Sequence, residues 1–251
     1  MKIGILETGE ISDDLYDKHG DYPTMFKALL HAIDPEVNFF SVRVLEGELP
    51  SSADAADGWI ITGSKFGVYE DLPWIDPLKV FIRAAVDKKI PIAGICFGHQ
   101  ILAEALGGKV EKSHKGWGLG VHDYEIEAKP SWMEGSHEGF SGHAVHQDQI
   151  IELPESATVI ASSEFCPYAA LVYGNPENPD ALSVQPHPEF SADFIDDLIE
   201  IRVPEVFSED LASEARASLG LPVHNSDWAL WIHRFLDLAA AHNLNPDANS
   251  E

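Results

Sequence analysis

The sequence predicts an α/β protein built on a doubly wound, mostly parallel sheet, with a small antiparallel layer and a helical C-terminal extension. Three observations carry this expectation. Short apolar runs suited to buried strands alternate with stretches of helical hydrophobic spacing over the first hundred residues. From Lys109 the pattern changes to short strand-like pieces separated by glycine, proline and polar turns. From Phe194 onward it becomes helical again.

The elements follow in order. Lys2 to Glu7 is the first strand, and the polar, glycine-punctuated Thr8 to Gly20 reads as a loop at its carboxyl end. Tyr22 to Ile33 places Met25, Phe26, Leu29, Leu30 and Ile33 on one helical face, starting near Asp21-Tyr22-Pro23. Val37 to Val44 alternates imperfectly, as an edge or partly covered strand would. Trp59 to Thr62 is a third strand running into Gly63-Ser64. Trp74 to Asp87 has helical spacing through Ile75, Leu78, Phe81, Ile82 and Ala85. A buried strand over Ile90 to Ile95 then turns into a helix through Ile101, Leu102, Ala105 and Leu106, stopped by Gly107-Gly108. This succession implies parallel β/α units of flavodoxin-like type. The antiparallel pieces are Lys109–Glu111, Leu119–Ile126, Thr158–Ala161, Ala169–Tyr173 and Ala181–Val184. Phe194–Ile201, Glu209–Leu219 and Trp228–Leu238 are amphipathic helices, and Asn243 to Glu251 reads as a frayed tail.

At 251 residues the chain is long enough for one large domain with a well-buried core. Its 42 acidic against 16 basic residues, formally −26, argue against nucleic acid or an anionic membrane as partner. Any anionic substrate needs local positive charge or backbone amides to overcome that background. No apolar run approaches the roughly 20 residues that cross a bilayer, and the N-terminus enters a strand directly, without a signal peptide. Two cysteines make no disulfide framework, which points to a reducing cytoplasm.

The chemistry concentrates at Gly94-Ile95-Cys96-Phe97-Gly98, a thiol between two glycines at a strand-to-helix turn. Such an elbow pushes its central residue out of the sheet, and the helix N-terminus favours the thiolate, the nucleophilic form. The plainer alternative is a small buried hydrophobe. Gln185-Pro186-His187-Pro188-Glu189 follows another strand, and its two prolines fix a histidine with an acid two residues on. Cys96, His187 and Glu189 together make a nucleophile, a proton carrier and an orienting carboxylate. The Phe97 N–H and the turn at Gly63 are candidate oxyanion donors, because both sit at ends of parallel strands opening on one crevice. Cys96 is expected to be partly exposed, and Cys166 dispensable. His137, His143 and His146 fit no metal-ligand spacing and are expected at the surface. Asp13-Asp14 and Asp196-Asp197 read as solvated faces or helix-end charges. No phosphate-binding glycine loop and no requirement for a cofactor is visible.

The ordered set Gly94-Ile95-Cys96-Phe97-Gly98-His99-Gln100, the glycine turn at Gly63 and Gln185-Pro186-His187-Pro188-Glu189 resembles the class I (triad) glutamine amidotransferases. The nearest flavour is a stand-alone domain similar to the amidotransferase part of GMP synthase. His146-Gln147-Asp148-Gln149, followed by Leu153-Pro154 and Ala161-Ser162-Ser163, also resembles that family's substrate-side loop and following strand. The resemblance spans 1–190 as an amidotransferase-like domain and leaves 191–251 as a helical extension packed on the same domain. It implies hydrolysis of a γ-glutamyl amide through a thioester on Cys96, with His187 as base and acid, Glu189 as orienter, and Gly63 and Phe97 as oxyanion donors. It also implies Gln100 as a substrate-pocket residue, with His146, Gln147 and Asp148 gripping the amino-acid end. Two uses of the site stay open: ammonia passed to a separate synthetase subunit, or action alone as a γ-glutamyl peptidase or amide hydrolase. A non-catalytic relative that binds a small ligand or a partner protein is the third reading.

Overall fold

The computed structural model describes residues 1–135 and 138–244. The first half runs β1 (Lys2–Leu6), α1 (Asp13–His19), α2 (Tyr22–His31), β2 (Asn38–Val42), β3 (Gly58–Ile61), α3 (Ile75–Asp87), β4 (Ile92–Ile95), α4 (Phe97–Ala105) and β5 (Lys109–Lys112). The second half continues with β6 (Gly118–Ile126), β7 (Gly139–His146), β8 (Asp148–Glu152), β9 (Ala157–Ser162), β10 (Ala170–Asn175), β11 (Asn178–Val184), α5 (Ala192–Arg202), α6 (Glu209–Ser218) and α7 (Asn225–Leu244). Residues 245–251 of the expected tail lie outside the described residues, as does His137.

The parallel strands take the order β2-β1-β3-β4-β11, the flavodoxin-like arrangement. The antiparallel strands β10, β9, β6 and β7 continue the same sheet beyond β11, and β5 pairs with β8 in a separate two-stranded antiparallel sheet. β2 is the edge its imperfect alternation suggested.

Strand residues alternate between two apolar layers. Ile3, Ile5, Ile60, Ile95 and Val184 pack with Phe26 and Leu30 of α2 and with Trp228, Trp231, Ile232, Phe235 and Leu236 of α7. Leu6, Trp59, Ile61 and Ile92 pack on the other side with Leu78, Phe81 and Ile82 of α3 and Ile101 and Leu102 of α4. The apolar stripe of α7 therefore seals one face of the sheet. Each such side chain removed from water contributes about 1.5–3 kcal/mol before entropy costs. A third cluster joins Leu15 of α1, Leu119 of β6, Phe194, Ile195 and Ile199 of α5, Phe207, and Ala212 and Ala215 of α6. Three helix starts are capped by side chains: Asp21 accepts from Thr24 N at 2.8 Å, Ser191 from Phe194 N at 3.1 Å and Ser208 from Leu211 N at 3.3 Å.

Several expectations need correction. α1 occupies part of the stretch read as a loop. Only Leu15 of its seven residues is buried, so there is no apolar stripe to read. The expected His146–Gln149 loop is the end of β7, the single residue Gln147 and the start of β8. His143 and His146 are 2% and 3% exposed, not surface residues, because β7 is covered on the faces where those side chains point. Asp197 is more than a solvated charge, since its carboxylate takes Lys18 at 2.5 Å and His19 at 2.6 Å, tying α1 to α5.

Candidate active site

Cys96 sits between β4 and α4 with φ 54° and ψ −102°, a backbone region that L-residues avoid. Its N–H donates to Val184 O at 2.9 Å, fastening the elbow to the end of β11, and its carbonyl accepts the first helical bond from Gln100 N at 3.0 Å. The bracketing glycines are required by close approach. A Cβ on Gly94 would lie 2.3 Å from Gly98 O, and one on Gly98 would lie 2.4 Å from Ile61 O of β3. The elbow is thus wedged between its own helix and the neighbouring strand. Cys96 is 5% exposed, so the expected partial exposure is corrected: the residue is buried in the wall of a part-open cavity.

The backbone beyond β11 delivers His187 to the same place. Gln185 N donates to Ala169 O and His187 N to His143 O, both at 2.8 Å. His187 Nδ1 and Glu189 Oε1 are 2.7 Å apart, with both side chains buried. With Nδ1 held by the carboxylate, Nε2 is left free for the Cys96 thiol, whose charge acts on the imidazole. Burial disfavours the imidazolium, but the Glu189 carboxylate and Cys96 outweigh it and push the His187 pKa up to about 10. Phe190 stacks on the imidazole at 4.0 Å between centroids and 8° between planes. Its carbonyl is clamped by His143 Nδ1 at 3.0 Å and by Asn225 Nδ2 of α7 at 2.9 Å.

Gly63 lies against the same ring, where a Cβ would be 2.9 Å from His187 Cε1. Thr8 Oγ1 donates to Thr62 O at 2.9 Å. In a trans peptide this turns the Gly63 N–H the opposite way, away from Thr8. Among the described residues neither Gly63 N–H nor Phe97 N–H, in the first turn of α4, has an acceptor. Two free donors therefore stand in the neighbourhood, one in the residue after Cys96 and one in the residue against the His187 ring.

Cys96 and His187 line a cavity of about 460 Å³, together with Gln100, His146, Gln147 and Asp148. Gln100 Nε2 donates to Asp148 O at 2.9 Å and to Gln185 Oε1 at 3.0 Å, while His146 Nδ1 is 3.3 Å from that same Asp148 carbonyl. Burial holds His146 down at about 3, so its ring is neutral. Burial also raises the Asp148 carboxyl, with the Tyr69 phenol opposing the shift. The structure thus brings every sequence-predicted residue of this group to one cavity, with Gln100 committed to bracing its wall. Tyr22, Tyr69, Trp117, Phe190, Arg202 and Phe207 also line it and were not anticipated. Only Phe190 carried a sequence signal, its place directly after Gln185–Glu189. Cys166 lies elsewhere in the core, with burial pushing its thiol up to about 12. No group of three or more His, Cys, Asp or Glu among the described residues is placed to hold a metal ion. No helix among them is long and apolar enough to cross a membrane.

The chain is similar to γ-glutamyl peptidase 5 of Arabidopsis thaliana, 32% identical over 218 residues that cover 83% of this chain and 84% of the relative. It is similar to a glutamine-hydrolysing GMP synthase of an Azoarcus species, 35% identical over 53% of this chain and 25% of the relative. The crystal structure of a glutamine amidotransferase from Methylobacillus flagellatus shares its fold, with a TM-score of 0.73, 22% identity and 94% of each chain covered. The family model for class-I glutamine amidotransferases matches residues 21–198, and the chain belongs to that family.

Proposed function

We propose that the protein hydrolyses a γ-glutamyl amide bond through a γ-glutamyl thioester on Cys96. The observation that supports this reading is a thiol on a strained elbow in the same cavity wall as His187, which is paired with Glu189, with the Gly63 and Phe97 N–H groups lacking acceptors. His187 takes the Sγ proton, and the thiolate attacks the amide carbon. The resulting oxyanion lies on the Gly63 and Phe97 N–H groups. The imidazolium passes its proton to the leaving nitrogen, the C–N bond breaks and the amine departs. Water then attacks the thioester, gives its proton to His187 and releases glutamate as the thiolate leaves. Glu189 holds the imidazole orientation and stabilises its charged form.

Glutamine is the smallest substrate of this kind, and its ammonia would pass to a synthetase subunit, as the likeness to GMP synthase suggests. A second reading is favoured by cavity size. About 460 Å³ is within the range of roughly 300–1,000 Å³ that houses drug-sized ligands, and a leaving group of one nitrogen leaves much of it unused. The likeness to a γ-glutamyl peptidase over most of the chain points the same way. Release of amine and glutamate from glutamine and from γ-glutamyl dipeptides, compared between the wild type and Cys96→Ser, tests the reading. Turnover that survives Cys96→Ser contradicts it.

A further inference from the structure

The cavity that Cys96 lines also takes in α5 and the turn after it, and that part of its wall is built unlike the rest. At one end Gln100, His146, Asp148, Tyr69 and Glu70 supply polar and acidic groups. At the other, Trp117, Leu198, Val206 and Phe207 supply an apolar wall, with Trp117 and Phe207 edge to face at 5.1 Å. Val206 is exposed and Trp117 and Leu198 are half-buried, so this surface opens on the cavity mouth.

In that wall stands Arg202, from the last turn of α5. The chain has five arginines. Arg43 and Arg216 each bond two carboxylates, Arg234 bonds Glu134, and Arg83 donates to Ala105 O. Among these the Arg202 side chain alone has no hydrogen bond or ion pair with the described residues, although the chain carries 42 acidic residues. It is half-buried, and its charge acts on the Tyr22 phenol, which also feels Glu189 and Cys96. The guanidinium therefore shares the cavity wall and the Tyr22 phenol as neighbour with the Cys96–Glu189 group, and it lacks a carboxylate partner among the described residues. Lys65 and Lys112, the other cavity cations, are exposed, and Lys112 acts on Asp148 at the acidic end.

Resting on the γ-glutamyl hydrolase reading, we propose that this end is the leaving-group subsite. It takes an amino acid or short peptide joined through its nitrogen to the γ-glutamyl carbonyl. Arg202 receives that residue's free carboxylate, and Trp117, Leu198 and Val206 receive its apolar side chain. A guanidinium pairs with a carboxylate through two parallel N–H donors, a geometry that ammonia as leaving group never engages. The site thus selects γ-glutamyl peptides with a large apolar leaving residue over glutamine.

The test is steady-state hydrolysis of γ-glutamyl-phenylalanine, γ-glutamyl-phenylalanine amide and glutamine by the wild type, Arg202→Gln and Arg202→Lys. The wild type is expected to favour the free acid over its amide by about tenfold or more in kcat/KM, the worth of a charge-assisted hydrogen bond. That preference is expected to fall to about twofold in Arg202→Gln, mainly through KM, and to persist in part in Arg202→Lys, which keeps the charge but loses the fork. Equal losses on acid and amide would place Arg202 at the glutamyl end and overturn the proposal. Hydrolysis of glutamine without either peptide would overturn the subsite and leave the hydrolase reading standing. No hydrolysis of any of the three would overturn both.

Discussion

Replacing Gly98 by alanine tests the elbow where helix propensity and packing oppose each other. Gly98 is the second residue of α4, and alanine there is favoured over glycine by about 1 kcal/mol from propensity alone. The new Cβ, however, falls 2.4 Å from Ile61 O, 0.6 Å inside the 3.0 Å floor that Cβ atoms keep, and the obstacle is backbone of a central strand. Overpacking of this sort costs about 1–3 kcal/mol. The expected net effect is a loss of roughly 0–2 kcal/mol, or a Tm lower by up to about 8 °C for a chain of this size. Activity should report the strain more sharply, because α4 must slide away from β3 and carry Cys96 with it. A displacement approaching 1 Å at a reacting atom costs about 10²-fold. Urea unfolding and turnover of a γ-glutamyl substrate would be measured side by side. Gly220→Ala serves as the control, since nothing lies within 4 Å of its added Cβ. A Gly98→Ala protein with wild-type turnover would refute the wedged-elbow reasoning.

Other outcomes follow from the same geometry. Cys96→Ala should abolish turnover and leave the far-UV and near-UV circular dichroism unchanged, while Cys166→Ala keeps turnover, because its thiol is held protonated in the core. Glu189→Gln removes the main influence that raises His187, so the alkaline limb of the kcat/KM profile should move to lower pH with a fall of about 10²- to 10⁴-fold at the optimum. An unmoved limb would detach Glu189 from the imidazole. The raised His187 pKa also carries a stability consequence. A folded value of about 10 against an unfolded value near 6.5 gives stabilisation present in full below about pH 6.5 and lost as pH rises toward 10. Denaturant titrations of the wild type should show that decline, and His187→Gln should flatten it. Asn225→Ala leaves the Phe190 carbonyl with His143 as its remaining side-chain donor, which should cost about 1 kcal/mol and lower kcat more than it raises KM.

The parallel half was legible because its inner strands are buried on both faces and α2, α3 and α4 carry apolar stripes. Trp59 to Ile61 and Ile92 to Ile95 are continuous apolar runs with no competing reading. The elbow was legible because glycines at 94 and 98 answer backbone-to-backbone contacts, which leave no room for any other residue. What escaped had no local signature. β7 reads Gly-Phe-Ser-Gly-His-Ala-Val-His, and two buried histidines stand where a strand pattern looks for apolar residues. His143 earns its burial from a hydrogen bond to Phe190 O, 47 residues away, a partner that only the fold supplies. Arg202 is likewise unremarkable on an acidic amphipathic helix until the turn after α5 carries Val206 and Phe207 into the cavity wall beside it.

The central claim is that Cys96 is the nucleophile, and covalent capture tests it most directly. The protein would be treated with a glutamine-like diazo ketone such as diazo-oxo-norleucine, and its intact mass and peptide map recorded. One adduct, mapped to Cys96, formed by the wild type and slowed strongly in His187→Gln, is the result this account predicts. An adduct on another residue, or labelling of Cys96 at the same rate without His187, would contradict it.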